Sequence, residues 1–324
     1  MSLRASGVGS MPGEDVRAAV RVVLDTVPQL LFLPELPDRG TIADMTGRAA
    51  AMIGDLGFDL QPAGWRLTDA AGIDHRRARS LLTQDLDVLE EETQGYDGLL
   101  KVQVAGPWTI ASTIEKPRGD KVLSDIGARR DLAQALAEGV RTHLADVQRR
   151  VPGASLVLQV DEPALPFVMS GQVPTASGFH RHRSVHEPAA VEALAWVLEA
   201  AGSAPTVAHC CAADAPVGAF RRAGAGAVSV DVAVLAAGQY DALATVVDEG
   251  GEAWLGVVPA NGRSAPTTRA TVDRTQRLLD MLGFDVEEVA DRVVLTPACG
   301  LAGASPAYAR EALRVVQEAA AELG

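Results

Sequence analysis

Eight short runs rich in β-branched and aliphatic residues recur along the chain, most of them followed by a stretch of helical periodicity. They cover residues 5–10, 30–35, 99–104, 156–160, 206–209, 227–231, 254–258 and 293–296. Apart from the first, a weak one, they are nearly continuous in apolar character, as parallel strands covered on both faces should be. After the first run, Val16, Ala19, Val20, Val23, Leu24 and Val27 predict a helix from about residue 14 by their i, i+3, i+4, i+7 spacing. Near the end, Ser305 reads as an N-cap and Pro306 as a first helical residue. Ala309, Ala312, Leu313, Val316 and Ala320 then continue at helical spacing. Strands alternating with helices imply a parallel sheet, and eight such units imply closure into a (β/α)8 TIM barrel of the α/β class. An open doubly wound sheet is the main alternative.

A chain of 324 residues suits one such barrel, so residues 1–324 are expected to form a single catalytic domain. The irregular stretches 61–75 and 166–187 read as loop insertions after strands 2 and 4 rather than as domain boundaries. The first residues lack the apolar core of a secretory signal, and no run approaches the roughly 18 apolar residues of a membrane span. The three cysteines, two of them adjacent, do not make a disulfide framework, which fits a reducing cytoplasm. A net charge of −13 argues against nucleic acid or an anionic membrane as a partner.

Active sites of such barrels lie at the C-terminal ends of the strands. The polar residues at those ends here are Ser10, Glu35, Asp161, His209, Cys211, Asp231 and Cys299. Imidazole and thiolate are preferred zinc ligands, and catalytic zinc sites keep one position open for substrate. His209, Cys211 and Cys299 are therefore a candidate Zn2+ site, one that only a closed barrel brings together. Asp231 is a candidate fourth ligand, with a purely structural role beside that reading. Period-two alternation turns Cys210 away, into packing. The histidine-rich stretch 179–186 reads as a solvated basic loop, and Glu90-Glu91-Glu92 as a solvated helix face.

Five motifs carry a family resemblance. They are Val8-Gly9-Ser10-Met11-Pro12, Ala105-Gly106-Pro107-Trp108-Thr109, Gln159-Val160-Asp161-Glu162-Pro163-Ala164-Leu165, His209-Cys210-Cys211 and Ala298-Cys299-Gly300-Leu301. In combination they resemble the C-terminal catalytic barrel of cobalamin-independent methionine synthases, in the superfamily shared with uroporphyrinogen decarboxylase. The resemblance implies zinc held by His209, Cys211 and Cys299, with Asp231 where the family has a glutamate ligand. It also implies homocysteine binding, with the Gly9-Ser10 backbone at the carboxylate and Glu35 and Asp161 at the amino group. The reaction implied is methyl transfer to the homocysteine thiol, giving methionine.

Two positions depart from the family. Asn261 stands where the family has a proton-donating histidine, and Thr113 where it has a tryptophan that stacks on folate. Asp161 and Asn261 are thus the candidate catalytic positions. The departures lead to the expectation of a methylcorrinoid, free or on a protein, as the methyl donor, because a reduced cobalt leaving group needs no general acid. The alternatives are a corrinoid-linked methyltransferase acting on another thiol, a uroporphyrinogen decarboxylase-like lyase, and a zinc-bearing carrier without turnover.

Overall fold

A computed structural model describes residues 3–324. Among them, eight parallel strands form one sheet. In chain order they are β1 (Arg4–Ala5), β2 (Leu30–Phe32), β3 (Leu99–Ala105), β4 (Ser155–Asp161), β5 (Thr206–Cys210), β6 (Ala227–Asp231), β7 (Glu252–Val258) and β8 (Val293–Pro297). Each pairs with the next from β2 to β8, and β8 pairs back onto β1. The remaining seam, between β1 and β2, is closed beyond the strands. There Met11 N donates to Glu35 O at 2.8 Å and Glu35 N to Gly9 O at 3.1 Å. The sheet is thus the expected (β/α)8 barrel, and every expected strand is present to within a few residues.

Side chains alternate between the barrel interior and the helix layer because strand periodicity is two. The interior-facing set starts with an apolar floor of Leu30, Val157, Val207, Ala227, Trp254 and Val294. Further along the same faces come Lys101, level with Val157, and then Gln103, Gln159, His209 and Ser229, all buried. Two further still come Asp161 and Asp231. The barrel therefore changes from apolar to polar toward the C-terminal ends of its strands. Gly256 lets β7 join this closure: a side-chain carbon there would sit 2.7 Å from Ala298 Cα and 2.8 Å from Val230 O.

The outward faces of the strands pack on the helices in one large apolar cluster. The first helix, Val16–Thr26, buries Ala19, Val20 and Val23 and is capped by Asp15. The last, Pro306–Leu323, is capped by Ser305, whose side chain accepts from Tyr308 N, as the sequence predicts.

Two stretches differ from expectation. Residues 61–75 are only partly irregular: Gly57–Gln61 and Gly64–Thr68 pair as an antiparallel hairpin, and His75 already lies in the helix Ile73–Glu92. Phe58 and Trp65 are almost fully buried, and that burial, not a high local strand propensity, fixes the hairpin. Nor is Glu90-Glu91-Glu92 simply solvated. Glu91 and Glu92 pair with Arg17, Glu92 also with Arg21 at 2.8 Å, and Glu90 with Arg150 at 3.0 Å. These pairs tie the helix Ile73–Glu92 to its neighbours on either side. No helix among the described residues is long and apolar enough to cross a membrane.

Candidate metal centre

His209 leaves β5 facing the barrel interior, and period two puts Cys211 on the same side just past the strand end. Cys299 follows β8, across the mouth. The ligand atoms of His209, Cys211 and Cys299 all lie within 4.8 Å of one another, and the two Sγ atoms are 2.8 Å apart. Only barrel closure achieves this, since 88 positions separate the two cysteines. His209 Nδ1 is 2.9 Å from Ser229 Oγ on β6, which fixes the ring. His209 Nε2 is buried and has no hydrogen-bond partner. A buried polar atom without a partner is costly, and here it stands beside two sulfurs. An imidazole oriented through one nitrogen and free at the other is how a protein presents a metal ligand. The donor set therefore fits zinc.

The sulfurs are electronically unequal. Their close approach pushes the Cys211 thiol up, while the hydrogen bond from Cys211, helped by His209, pulls Cys299 down to about 4. Cys210 faces the apolar layer, fully buried, and burial pushes it up to about 12. It is the packing residue that the alternation predicts.

A cleft of about 290 Å3 opens beside the sulfurs. Gly9, Ser10, Glu35, Asp161, His209, Cys211 and Cys299 all line it, so seven of the sequence-derived positions share one cavity. Gly300 makes room for Ser10, because a side-chain carbon at 300 would lie 2.0 Å from Ser10 Oγ. Burial pushes the Asp161 carboxyl up to about 7. Its Oδ1 accepts from Gln159 Nε2 at 2.7 Å. Glu35 is not free either: its Oε1 lies 3.1 Å from Arg48 Nε. Arg48 in turn pairs with Asp85 at 2.8 Å.

Asp231 and Asn261 fall elsewhere. Asp231 stands outside the His209–Cys211–Cys299 group and outside the cleft lining. Its Oδ1 instead accepts from Ala233 N at 2.8 Å, stabilising its own turn. Burial, and then Cys299, raise its pKa, so it lies within electrostatic reach of the sulfurs. Asn261 is exposed in the loop after β7 and does not line the cleft. The histidine-rich loop stays out of it too: His180, Arg181 and Arg183 are exposed, while His182 is buried with Nε2 3.3 Å from Asp120.

Sequence reasoning missed Asp44 and Gln103, which line the same cleft. Asp44 caps the helix Met45–Met52 through Gly47 N at 2.7 Å. Burial, opposed by its backbone hydrogen bonds and aided by Glu35, raises its pKa. Gln103 belongs to Lys101-Val102-Gln103-Val104, where polar and apolar residues alternate inside an otherwise apolar run. That alternation was the available signal.

The motif pair Gly106-Pro107-Trp108-Thr109 and Asp161-Glu162-Pro163 also has a physical cause. Glu162 is fully buried. Its Oε1 accepts from Trp108 N at 2.9 Å, and its Oε2 from Thr109 N at 2.8 Å and Thr109 Oγ1 at 2.7 Å. It caps the helix Pro107–Thr113, whose own N-cap, Gly106, has no side chain to do so. Asp161 faces the cleft while its neighbour Glu162 holds the rim.

No curated protein matches the chain. Among solved structures, a B12-independent methionine synthase from Shewanella sp. W3-18-1, in complex with selenomethionine, superposes with a TM-score of 0.65 at 13% identity, covering 100% of this chain and 98% of that one. At that identity the likeness speaks for the fold. The carboxyl transferase domain of Rhizobium etli pyruvate carboxylase follows at a TM-score of 0.27 and 10% identity, covering 73% of this chain and 43% of that one, too distant to carry an argument. A family model described as the catalytic domain of the cobalamin-independent synthases matches residues 93–322. That description argues against the methylcorrinoid donor expected from Asn261 and Thr113, and the expectation is withdrawn. The matched segment runs from before β3 to the last helix and takes in Asp161, His209, Cys211 and Cys299, well over half of the chain. The chain belongs to the family of cobalamin-independent synthase catalytic domains.

Proposed function

We propose that this barrel is a zinc-dependent methyltransferase that methylates the thiol of homocysteine to give methionine, acting as a single catalytic domain. The observation that carries the reading is the convergence of His209, Cys211 and Cys299 on one point beside a cleft walled by Glu35, Asp44 and Asp161. His209 Nε2 and the two sulfurs would hold zinc. Zinc, when bound, favours the thiolate of a coordinated substrate, whose free pKa is about 8.5, and leaves it nucleophilic.

The chain's own residues do the rest. Ser229 keeps the His209 ring in register. Gly9 and Ser10 bring backbone to the cleft edge, where the substrate carboxylate is assigned. Asp161, with one oxygen engaged by Gln159, offers its other oxygen to the substrate ammonium group, and Glu35 supports it from just beyond β2. Ammonium–carboxylate hydrogen bonds are the charge-assisted kind that select strongly. A thiol without an ammonium group would leave these carboxylates unpaired, which favours an amino-acid thiol. No lysine or arginine lines the cleft among the described residues, which disfavours the poly-acidic substrate of a decarboxylase. The selenomethionine bound to the Shewanella protein is a selenium analogue of the proposed product.

The test is methionine formation from homocysteine by the zinc-loaded protein with a panel of methyl donors. Asp161→Asn should raise KM for homocysteine at least about tenfold with zinc content unchanged. An unchanged KM would remove Asp161 from the ammonium site, and no methionine with any donor would sink the reading.

A further inference from the structure

Gln159 is buried on β4, two residues before Asp161 and so on the same strand face. Its Nε2 donates to Asp161 Oδ1 at 2.7 Å and to Val8 O at 2.9 Å. A backbone carbonyl only accepts, so the contact with Val8 fixes which end of the amide is nitrogen. Gln159 Oε1 is buried and has no partner. An amide oxygen left unpaired is costly, and leucine or methionine would fill the volume without that cost. The position keeps its amide for the two donor contacts.

The carbonyl at the far end of this bridge belongs to the proposed carboxylate site. Val8 O and the N–H of Gly9 are the two ends of one peptide unit. Val8 O accepts from Lys101 Nζ at 2.7 Å as well. Gly9 O accepts from Glu35 N at 3.1 Å, and Ser10 O from Leu301 N at 2.7 Å. All three oxygens are thus tied into the protein, whereas Gly9 N and Ser10 N donate to no protein acceptor among the described residues. None of the peptide bonds is cis, so each N–H points opposite to the oxygen of its own unit. Both residues line the cleft. Backbone N–H groups in so enclosed a place are rarely left unpaired, and these two are open to an anion.

We infer that Gln159 is the positioning residue that fixes the carboxylate-binding and ammonium-binding halves of the amino-acid subsite relative to each other, and with them the selectivity between the enantiomers of homocysteine. The inference rests on the proposed homocysteine reading. It adds a residue that does not line the cleft and that acts through Val8 O and Asp161. Enantiomers are told apart by three fixed points. Here the metal centre takes the sulfur, the Gly9–Ser10 backbone the carboxylate, and Asp161 the ammonium group. The wrong enantiomer can reach any two of these at once but not all three. Without Gln159, Val8 O keeps Lys101 and the carboxylate half stands. Asp161 then loses the contact that orients it, and the third point is no longer fixed relative to the other two.

The experiment compares zinc-loaded wild type with Gln159→Met and Gln159→Asn. Dissociation constants are measured for each enantiomer of homocysteine and for 4-mercaptobutanoate, which has the thiol and carboxylate but neither amino group nor stereocentre. Zinc content and melting temperature are read in parallel. Gln159→Met matches the volume without a donor. Gln159→Asn keeps an amide one methylene too short to reach both partners, a milder change should Gln159→Met fail to fold. Wild type is expected to favour one enantiomer at least about tenfold. In each folded variant, affinity for that enantiomer should fall at least about tenfold. Affinity for the other enantiomer and for 4-mercaptobutanoate should stay unchanged, as should zinc content, so the discrimination collapses. Wild type that binds both enantiomers alike overturns the role of Gln159. So does a folded variant that keeps the discrimination, or one that weakens 4-mercaptobutanoate as much as homocysteine. Wild type that prefers neither enantiomer to 4-mercaptobutanoate overturns the homocysteine reading itself, a result visible before any variant is made.

Discussion

Glu162 tests how this barrel holds its rim. Three donors converge on its buried carboxylate, two of them backbone N–H groups at the start of the helix Pro107–Thr113. Hydrogen bonds to a charged group contribute roughly 1.5–3 kcal/mol each. Against them stands burial, which pushes the carboxyl from 4.5 up to about 7, an ionisation cost of about 3 kcal/mol at neutral pH. Replacing Glu162 with Ala strands two buried N–H groups and opens a cavity, so the expected loss is about 3–5 kcal/mol. Glu162→Gln keeps one acceptor and should cost about 1–2 kcal/mol. The two changes also differ in pH dependence. Below the unfolded pKa the carboxyl is neutral in both states. As pH rises from 4.5 toward 7, the unfolded chain ionises first and wild type loses stability that Glu162→Gln, which does not titrate, keeps. The gap, about 1–2 kcal/mol in favour of wild type at the acid end of that window, should therefore move toward Glu162→Gln by up to about 3 kcal/mol across it and change sign. Urea unfolding at both ends of the window reads these quantities. Glu162→Ala within about 1 kcal/mol of wild type, or a gap to Glu162→Gln that does not change with pH, would refute the reasoning.

Arg48 lies between Glu35 and Asp85, both buried; Arg48→Met should cost about 3 kcal/mol in denaturant unfolding, because it strands buried charge. Arg39 still holds Asp85 in that variant, so a loss under about 1 kcal/mol would show that Glu35 needs no partner. His143 is buried, and burial first, then the charge of Arg48, pulls it from 6.5 down to about 4. Its neutral form is the folded one, so stability is complete above 6.5 and is lost as pH falls toward 4, by up to about 3 kcal/mol. His143→Gln should have a flatter melting-temperature profile over that window, and parallel profiles would contradict this.

The barrel was legible because its strands are apolar runs that end at Pro, Gly or a polar residue, a pattern set by burial on both faces. The metal group was legible for a related reason: His209 and Cys211 are two apart, so one strand face presents both, and closure brings Cys299 opposite. What the sequence hid was three-dimensional. Nothing local to Glu35 announces Arg48, which arrives from a later helix. Lys101 and Gln159 lie in runs that read simply as buried strands, and only the interior parity of neighbouring strands puts their polar ends beneath one cleft. Asp231 ends a strand as a ligand would, yet its carboxylate accepts from Ala233 N, a local contact that the strand pattern does not announce. The hairpin around Gly64 reads as loop because Phe58 and Trp65 acquire their strand geometry only on packing. The donor expectation failed for another reason: the two absent residues said what was missing and not what had replaced it.

The metal centre itself is tested most directly by X-ray absorption at the zinc edge, on wild type, Cys211→Ser and Cys299→Ser after removal and reloading of metal. Wild type should take up zinc with two sulfur neighbours at roughly 2.3 Å and at least one nitrogen. Each variant should lose one sulfur from that shell, and most of its affinity. Full zinc occupancy with an unaltered sulfur shell in either variant would contradict the assignment.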